Sequence, residues 1–136
     1  MSPIRRVSLA SSFVLALSAS PAMADCDPVT SVFFEYGSAE VLSSARQTLS
    51  ILASQLPNGS RVLLRGHVSE VEAAGELGEL DRNRTNSVAA TLSAVAGAKT
   101  LRVDQEASGA TVPYQPEGPD PLFDRRVEVL VCPAST

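Results

Sequence analysis

Hydrophobic and polar positions along the chain follow two different periods, and the changes between them predict a succession of strands and helices. Four short runs are rich in aliphatic, β-branched or aromatic residues and have the length of strands. These runs cover residues 29–36, 61–67, 101–104 and 126–132. The sequence therefore predicts a four-stranded sheet.

Two longer segments between these runs repeat their apolar residues every three or four positions, which is typical of one helical face. The first spans residues 42–56, where Ser38 is expected to cap its start and the Pro57-Asn58-Gly59 turn to end it. The second runs from about residue 79 to residue 96 and ends at Gly97.

Two further segments lack either period. The acidic stretch 70–79 contains Gly75 and Gly78 and is expected to be a loop, and the proline-rich stretch 108–121 is expected to be irregular. The resulting order is β-α-β-α-β-loop-β. This order predicts a two-layer α/β (α+β) sandwich, with the helices packed on one face of a mixed sheet.

The first 24 residues have the features of a cleaved export signal. Arg5 and Arg6 precede an uncharged run over residues 7–19, and Pro21-Ala22-Met23-Ala24 ends in the small-x-small cleavage pattern. The apolar run is shorter than the ~20 residues that a transmembrane helix needs. We therefore predict a signal peptide over 1–24 and one soluble exported domain over 25–136, with no later membrane-spanning segment. Asp25 before Cys26 argues against lipidation.

Composition narrows the function classes. Of 136 residues, 11 are Lys or Arg and 15 are Asp or Glu, so the formal net charge of −4 argues against a nucleic-acid partner. Hydrophobic residues make up 44% of the chain, which excludes a disordered protein. Two cysteines are too few for a four-cysteine zinc site.

Cys26 and Cys132 lie near the two ends of the predicted exported domain. Disulfides persist in oxidising compartments, so we expect these two residues to form a structural disulfide. Two separate thiols, buried or free, are the alternative.

No constellation in the sequence indicates catalysis. The only histidine, His67, ends an apolar strand, and no serine has the context of an activated nucleophile. A packing or hydrogen-bonding role is therefore expected for His67. The acidic residues of 70–79 lack the alternating pattern of a calcium loop. We expect no enzyme activity, no cofactor and no metal site.

A set of widely separated residues carries a more specific signal. It comprises residues 33–40, Gly66-His67, residues 80–84 with Val88, Gly109 with Pro113, and residues 124–129. In this order and spacing they resemble the OmpA-like C-terminal domain, the peptidoglycan-binding module of OmpA, Pal and MotB. The resemblance covers about residues 29–131, the core of the predicted domain.

The resemblance implies a ligand site that this chain supplies in part. In the family, an aspartate binds the amino group of the diaminopimelate in the peptidoglycan stem peptide, and a helix arginine binds its carboxylate. Arg84 stands at the arginine position, but Ser69 replaces the aspartate, Leu77 replaces an asparagine and Glu72 replaces a glycine. Arg125 matches a position that approaches the ligand.

Each of these assignments has an alternative. Glu72 could replace the lost aspartate if the loop reorganises, whereas Glu70 would point to the opposite face. Arg84 could instead pair with Asp81 or Glu79 or pack on the sheet, and Arg125 could be a solvent-facing residue paired to Asp124.

Two functions follow from the resemblance. The first is a periplasmic, possibly outer-membrane-associated protein of the cell envelope that binds the peptidoglycan stem peptide non-covalently, with weakened or altered affinity. The second is a degenerate OmpA-like fold that does not bind the cell wall. In that case the domain is a structural or interaction module whose partner is another envelope protein.

Overall fold

The computed structural model describes residues 25–75, 79–110 and 121–133 of the chain. The expected signal peptide, Leu77 and most of the proline-rich loop lie outside these residues. The elements are strand β1 (Asp27–Phe33), helix α1 (Ser43–Gln55), strand β2 (Arg61–His67), helix α2 (Glu70–Ala74), helix α3 (Leu80–Ala96), strand β3 (Arg102–Gly109), a 3-10 turn (Pro121–Asp124) and strand β4 (Arg126–Cys132).

The four strands form one mixed sheet in the order β1-β4-β2-β3. Strand β4 is antiparallel to both β1 and β2, while β2 and β3 are parallel. The parallel pair is joined by a crossover through α2 and α3, as parallel strands require. The predicted fold class is confirmed.

The core lies between one face of the sheet and helices α1 and α3. Alternate residues of β2 and β4, among them Val62 and Val129, point to this face because successive side chains of a strand point to opposite sides. Burial of this apolar set is the main stabilising contribution to the fold. The buried residues of the core are Val32, Phe34, Leu49, Leu56, Val62, Leu64, Val88, Leu92, Val127 and Val129.

The opposite face of the sheet carries the disulfide between Cys26 and Cys132, whose Cα atoms are 4.0 Å apart. The two cysteines form a small buried cluster with Leu63 and Leu130. The predicted disulfide is confirmed. It joins the residue before β1 to the last residue of β4.

Among the described residues, no helix combines the length and the apolar character needed to cross a bilayer.

The start of α1 differs from the sequence prediction. The helix begins at Ser43, and Leu42 precedes it without any capping hydrogen bond from a side chain. Ser38 does not cap α1, because its hydroxyl accepts a hydrogen bond from the backbone N–H of Glu40, at 3.0 Å, in the preceding turn.

The acidic segment after β2 was also predicted wrongly in part, because residues Glu70–Ala74 form the short helix α2. Ser69 and Glu72 make a capping box in which each side chain accepts a hydrogen bond from the other residue's backbone N–H. Such a reciprocal pair satisfies two N–H groups that would otherwise lack partners at the start of a helix.

Strand boundaries shift as well. Strand β1 covers Asp27–Phe33 instead of 29–36, and β3 extends to Gly109 instead of ending near residue 104. The extension of β3 arises from its parallel register with β2, which continues from Arg61↔Arg102 to Gly66↔Ala107.

Gly66 allows α3 to lie directly against β2. A Cβ atom at this position would lie 2.5 Å from the carbonyl oxygen of Asp81 and 2.7 Å from Cγ2 of Thr85. Both contacts are shorter than van der Waals distance, so only glycine fits without a shift of the helix. The close approach brings the first turns of α3 to the end of β2.

Replacing Gly66 with alanine is therefore expected to destabilise the protein by about 1–3 kcal/mol through overpacking. Urea unfolding measures the change. Gly75→Ala is the control, since its added Cβ would lie at an ordinary 3.7 Å from the carbonyl oxygen of Glu72 and should change stability by about 0.5 kcal/mol or less. Equal stabilities for the two variants would contradict this view of the β2–α3 contact.

Candidate functional site

Arg84 is the centre of the candidate site. It lies near the start of α3, on the side that faces the end of β2, and its side chain is fully buried. Its guanidinium lies over the ring of Phe34, 5.2 Å from the centroid, which is a cation–π distance. A buried arginine is rare in proteins unless its charge is paired.

Every N–H group of the Arg84 guanidinium has an acceptor within the protein. Nε donates to the carbonyl oxygen of Ser38 at 2.8 Å. Nη1 donates to the carbonyl of His67 at 3.2 Å and to Oε1 of Glu72 at 2.9 Å. Nη2 donates to the carbonyl of Glu35 at 3.1 Å and to Oε2 of Glu72 at 2.6 Å. Since a guanidinium carries five N–H donors, none is left for an external ligand.

Glu72 is the counterion of Arg84 and is equally buried, with 0% of its side chain exposed. The two side chains form a bidentate pair, which is the strongest geometry between a guanidinium and a carboxylate. Glu72 also accepts hydrogen bonds from the backbone N–H groups of Ser69, at 3.0 Å, and Gly37, at 2.8 Å.

These contacts determine the ionisation of Glu72. Burial raises the pKa of its carboxyl group, but the hydrogen bonds from Arg84 and from the backbone of Ser69 and Gly37, with the charge of Arg84, outweigh burial. The net effect lowers the pKa of Glu72 below its ordinary value of 4.5. Glu72 is therefore ionised at neutral pH, and the pair is a true ion pair.

The structure brings together three of the four predicted site residues, Arg84, Ser69 and Glu72. Ser69 is buried and acts as the cap of α2, because its hydroxyl accepts from the backbone N–H of Glu72 at 3.2 Å. Glu72 contacts Arg84 directly, so in this structure it is the internal partner of the arginine.

The alternative partners of Arg84 are occupied elsewhere or exposed. Asp81 accepts hydrogen bonds from the backbone N–H of Gly109 at 3.0 Å and from that of Arg82 at 2.8 Å. Glu79 is exposed at the start of α3. The sequence did not identify Glu72 as the partner, although the Ser69-x-x-Glu72 spacing is a capping-box signature that indicates a folded segment there.

Arg125, the fourth predicted residue, lies beside the site and does not contact the ion pair. It is half-buried, and its Nε donates to the carbonyl oxygen of Phe34 at 2.9 Å. Phe34 thus contacts both arginines, one through its ring and the other through its carbonyl. A ligand role for Arg125 stays a prediction.

His67 connects the site to the other face of the sheet. Its carbonyl accepts from Arg84, while its buried ring lies on the far face with Nε2 3.3 Å from Oε1 of Glu128. Burial and the nearby charge of Arg126 lower the pKa of His67, and Glu128 offsets this effect only in part. The imidazole is therefore neutral at pH 7, as suits a packed side chain.

The candidate site is built around two opposite charges that bind each other. Within the described parts of the chain, no three His, Cys, Asp or Glu side chains come together to hold a metal ion. The site consists of a buried acid and a buried base that neutralise each other, and backbone groups of two segments, residues 35–38 and 67–69, complete their hydrogen bonds.

Arg84→Ala is expected to lower the free energy of unfolding by about 3–5 kcal/mol, because it leaves Glu72 buried without a counterion. The double change Glu72→Leu with Arg84→Met removes both charges at similar volume and should cost less than Arg84→Ala alone. Urea unfolding monitored by circular dichroism gives the three values.

Arg65→Ala is the matched control for this comparison. Arg65 pairs with Glu106 at 2.8 Å, but both side chains are partly exposed, so its loss should cost about 1 kcal/mol or less. If Arg84→Ala cost no more than Arg65→Ala, the buried pair would not have the energetic role described here.

Several solved protein structures have the same fold as this chain. No family model matches the chain, and no curated protein matches it in sequence. The OmpA-like domain of FopA1 from Francisella tularensis has 18% identity and a TM-score of 0.60, with 75% of this chain and 70% of that one covered.

Two further solved structures match over similar lengths. The cell wall anchor of the T6SS from Pseudomonas aeruginosa has 26% identity and a TM-score of 0.59, covering 73% of each chain. The peptidoglycan-associated lipoprotein from Burkholderia pseudomallei has 21% identity and a TM-score of 0.59, covering 74% of this chain and 88% of the other. The chain thus has the fold of the OmpA-like domains, and the resemblance seen in its sequence is confirmed.

Proposed function

We propose that the chain is an exported OmpA-like domain of the cell envelope that binds the peptidoglycan stem peptide non-covalently and weakly. The signal-peptide pattern of residues 1–24 supports export, and the disulfide suits an oxidising compartment such as the periplasm. The proposed role is binding rather than catalysis.

Two of the similar structures support a cell-wall ligand. One is described as a cell wall anchor and the other as a peptidoglycan-associated lipoprotein. In the proposed complex, Arg84 binds the carboxylate of the diaminopimelate side chain, because a guanidinium binds a carboxylate in bidentate fashion. Ser69 offers a hydroxyl, but no charge, to the amino group of the same side chain.

The proposed binding is weak because Glu72 already occupies the guanidinium of Arg84. A ligand carboxylate reaches the guanidinium only if it displaces Glu72, whose two oxygens lie 2.9 and 2.6 Å from Nη1 and Nη2. Separating a buried pair costs about 3–5 kcal/mol when one charge is left uncompensated. The ligand compensates Arg84 but not Glu72, so affinity should fall by roughly a hundredfold or more.

A second candidate function is an interaction or structural module of the envelope that does not bind the cell wall. The hydrogen bonds of Arg84 favour this second candidate. All five N–H donors of its guanidinium have acceptors within the protein, so Arg84 is satisfied without a ligand. The two candidate functions differ in whether a ligand carboxylate displaces Glu72 from Arg84.

Co-sedimentation with purified, diaminopimelate-containing peptidoglycan distinguishes the two functions. Under the proposed function, wild type pellets weakly, and Glu72→Gly pellets at least about tenfold more strongly, because it frees two N–H donors of Arg84 for the ligand. Ser69→Asp added to Glu72→Gly should strengthen binding further by supplying a carboxylate for the ligand amino group. Aspartate is also a good N-cap, so α2 should persist.

Glu70→Gly is the matched control, because Glu70 is an exposed acid in the same helix and its loss changes net charge equally. It should leave sedimentation unchanged. If wild type stayed in the supernatant while the Ser69→Asp/Glu72→Gly variant pelleted, the site would be degenerate and the interaction module would be favoured. If no variant pelleted, peptidoglycan binding through Arg84 would be contradicted.

A further inference from the structure

A cavity lies at the opposite end of β2 from the Glu72–Arg84 pair. The pair contacts the end of the strand at His67, whereas this cavity opens at its start, at Arg61. A seven-residue strand separates the two places by roughly 20 Å. The cavity has a volume of about 360 Å³. Its walls are formed by Leu56, Pro57, Asn58, Gly59, Ser60, Arg61, Arg102, Val131 and Cys132.

The charge of this cavity is positive, although the chain as a whole has a formal charge of −4. Arg61 and Arg102 are direct neighbours in the parallel register of β2 and β3, so their side chains emerge side by side. Like charges at such positions repel each other. No acidic side chain is among the residues that form the walls.

Only one of the two arginines has a counterion among the described residues. Nη2 of Arg61 lies 3.2 Å from Oδ2 of Asp104. The exposed guanidinium of Arg102 makes no hydrogen bond or ion pair within the described part of the chain. Among the described residues, Arg102 thus lines the cavity with a guanidinium that has no counterion.

The remaining lining residues are partly polar and partly apolar. Asn58 accepts from the backbone N–H of Thr100 through Oδ1, at 2.6 Å, which leaves its amide N–H groups as donors. Leu56 and Cys132 are buried, and Val131 is half-buried. A volume of about 360 Å³ lies at the lower end of the range for small-molecule sites.

We propose that this cavity binds a small organic anion through an oxyanion group, a phosphate or a carboxylate, held by Arg102 and Arg61. Arginine binds both groups in bidentate fashion. The apolar residues of the lining favour an anion with a small apolar body over a bare inorganic ion. A soluble compound or the phosphate of a lipid headgroup can supply this chemistry. The proposal is independent of the peptidoglycan site.

Titration of the purified protein with phenyl phosphate, followed by amide NMR shifts at constant ionic strength, tests the proposal. We expect saturable shifts at the amides of residues 58–61 and 102, with weaker binding of inorganic phosphate. Arg102→Gln should weaken binding of phenyl phosphate at least about tenfold. Arg82→Gln is the matched control, because Arg82 is an exposed arginine on α3 with no side-chain partner among the described residues.

A second arm uses vesicles that contain phosphatidylglycerol and measures how much protein sediments with them. Loss of vesicle binding in Arg102→Gln, without saturable binding of phenyl phosphate to wild type, would assign the anion to a lipid headgroup. Saturable binding of phenyl phosphate would assign it to a soluble compound. If neither probe bound, or if Arg82→Gln weakened binding as much as Arg102→Gln, the site would be ruled out.

Discussion

The buried ion pair between Glu72 and Arg84 is the interaction on which this end of the molecule depends. Neither side chain is exposed, and the carbonyls of Glu35, Ser38 and His67 complete the coordination of the guanidinium. The pair therefore joins the segment after β1, the end of β2, helix α2 and helix α3. Each of these segments contributes a backbone group or a side chain to the hydrogen bonds of the pair.

At the other end of the sheet, a disulfide joins two strand ends. The disulfide between Cys26 and Cys132 fixes the start of β1 to the end of β4 by a covalent bond, while the ion pair joins the opposite strand ends to the helices. Gly66 supports the ion pair, because its lack of a side chain lets α3 approach β2 closely enough for Arg84 to reach the His67 carbonyl.

Under the proposed function, a ligand carboxylate that binds Arg84 would compete with the carboxylate of Glu72. A buried pair contributes little net stability, because desolvation offsets most of the attraction. A strong effect arises only when one partner is removed or displaced. In the proposed complex, the ion pair is therefore mainly a barrier to ligand binding and only a minor source of net stability.

The sequence predicted the order of the four strands and the two long helices, and the boundaries of β2 and β4, because these depend on local periodicity. It also predicted the disulfide, from two cysteines near the ends of the predicted exported domain. It did not predict α2 or the role of Glu72. Glu72 and Arg84 are separated by 12 positions, and only the tertiary fold brings them together. Ser38 was also assigned wrongly from its residue type. Serine is common at helix caps, but the Ser38 hydroxyl accepts a hydrogen bond from the backbone N–H of Glu40 in the preceding turn.

The pKa of Glu72, measured by NMR titration of its carboxyl carbon, is the most direct test of whether Glu72 and Arg84 form a buried ion pair. An ion-paired Glu72 favours its charged form in the folded state, so the pair's stabilising contribution is present above about pH 4.5 and is lost as pH falls through the folded-state pKa. We expect a midpoint below 4.5. A midpoint at or above that value would show that Glu72 is not the ion-pair partner that occupies Arg84.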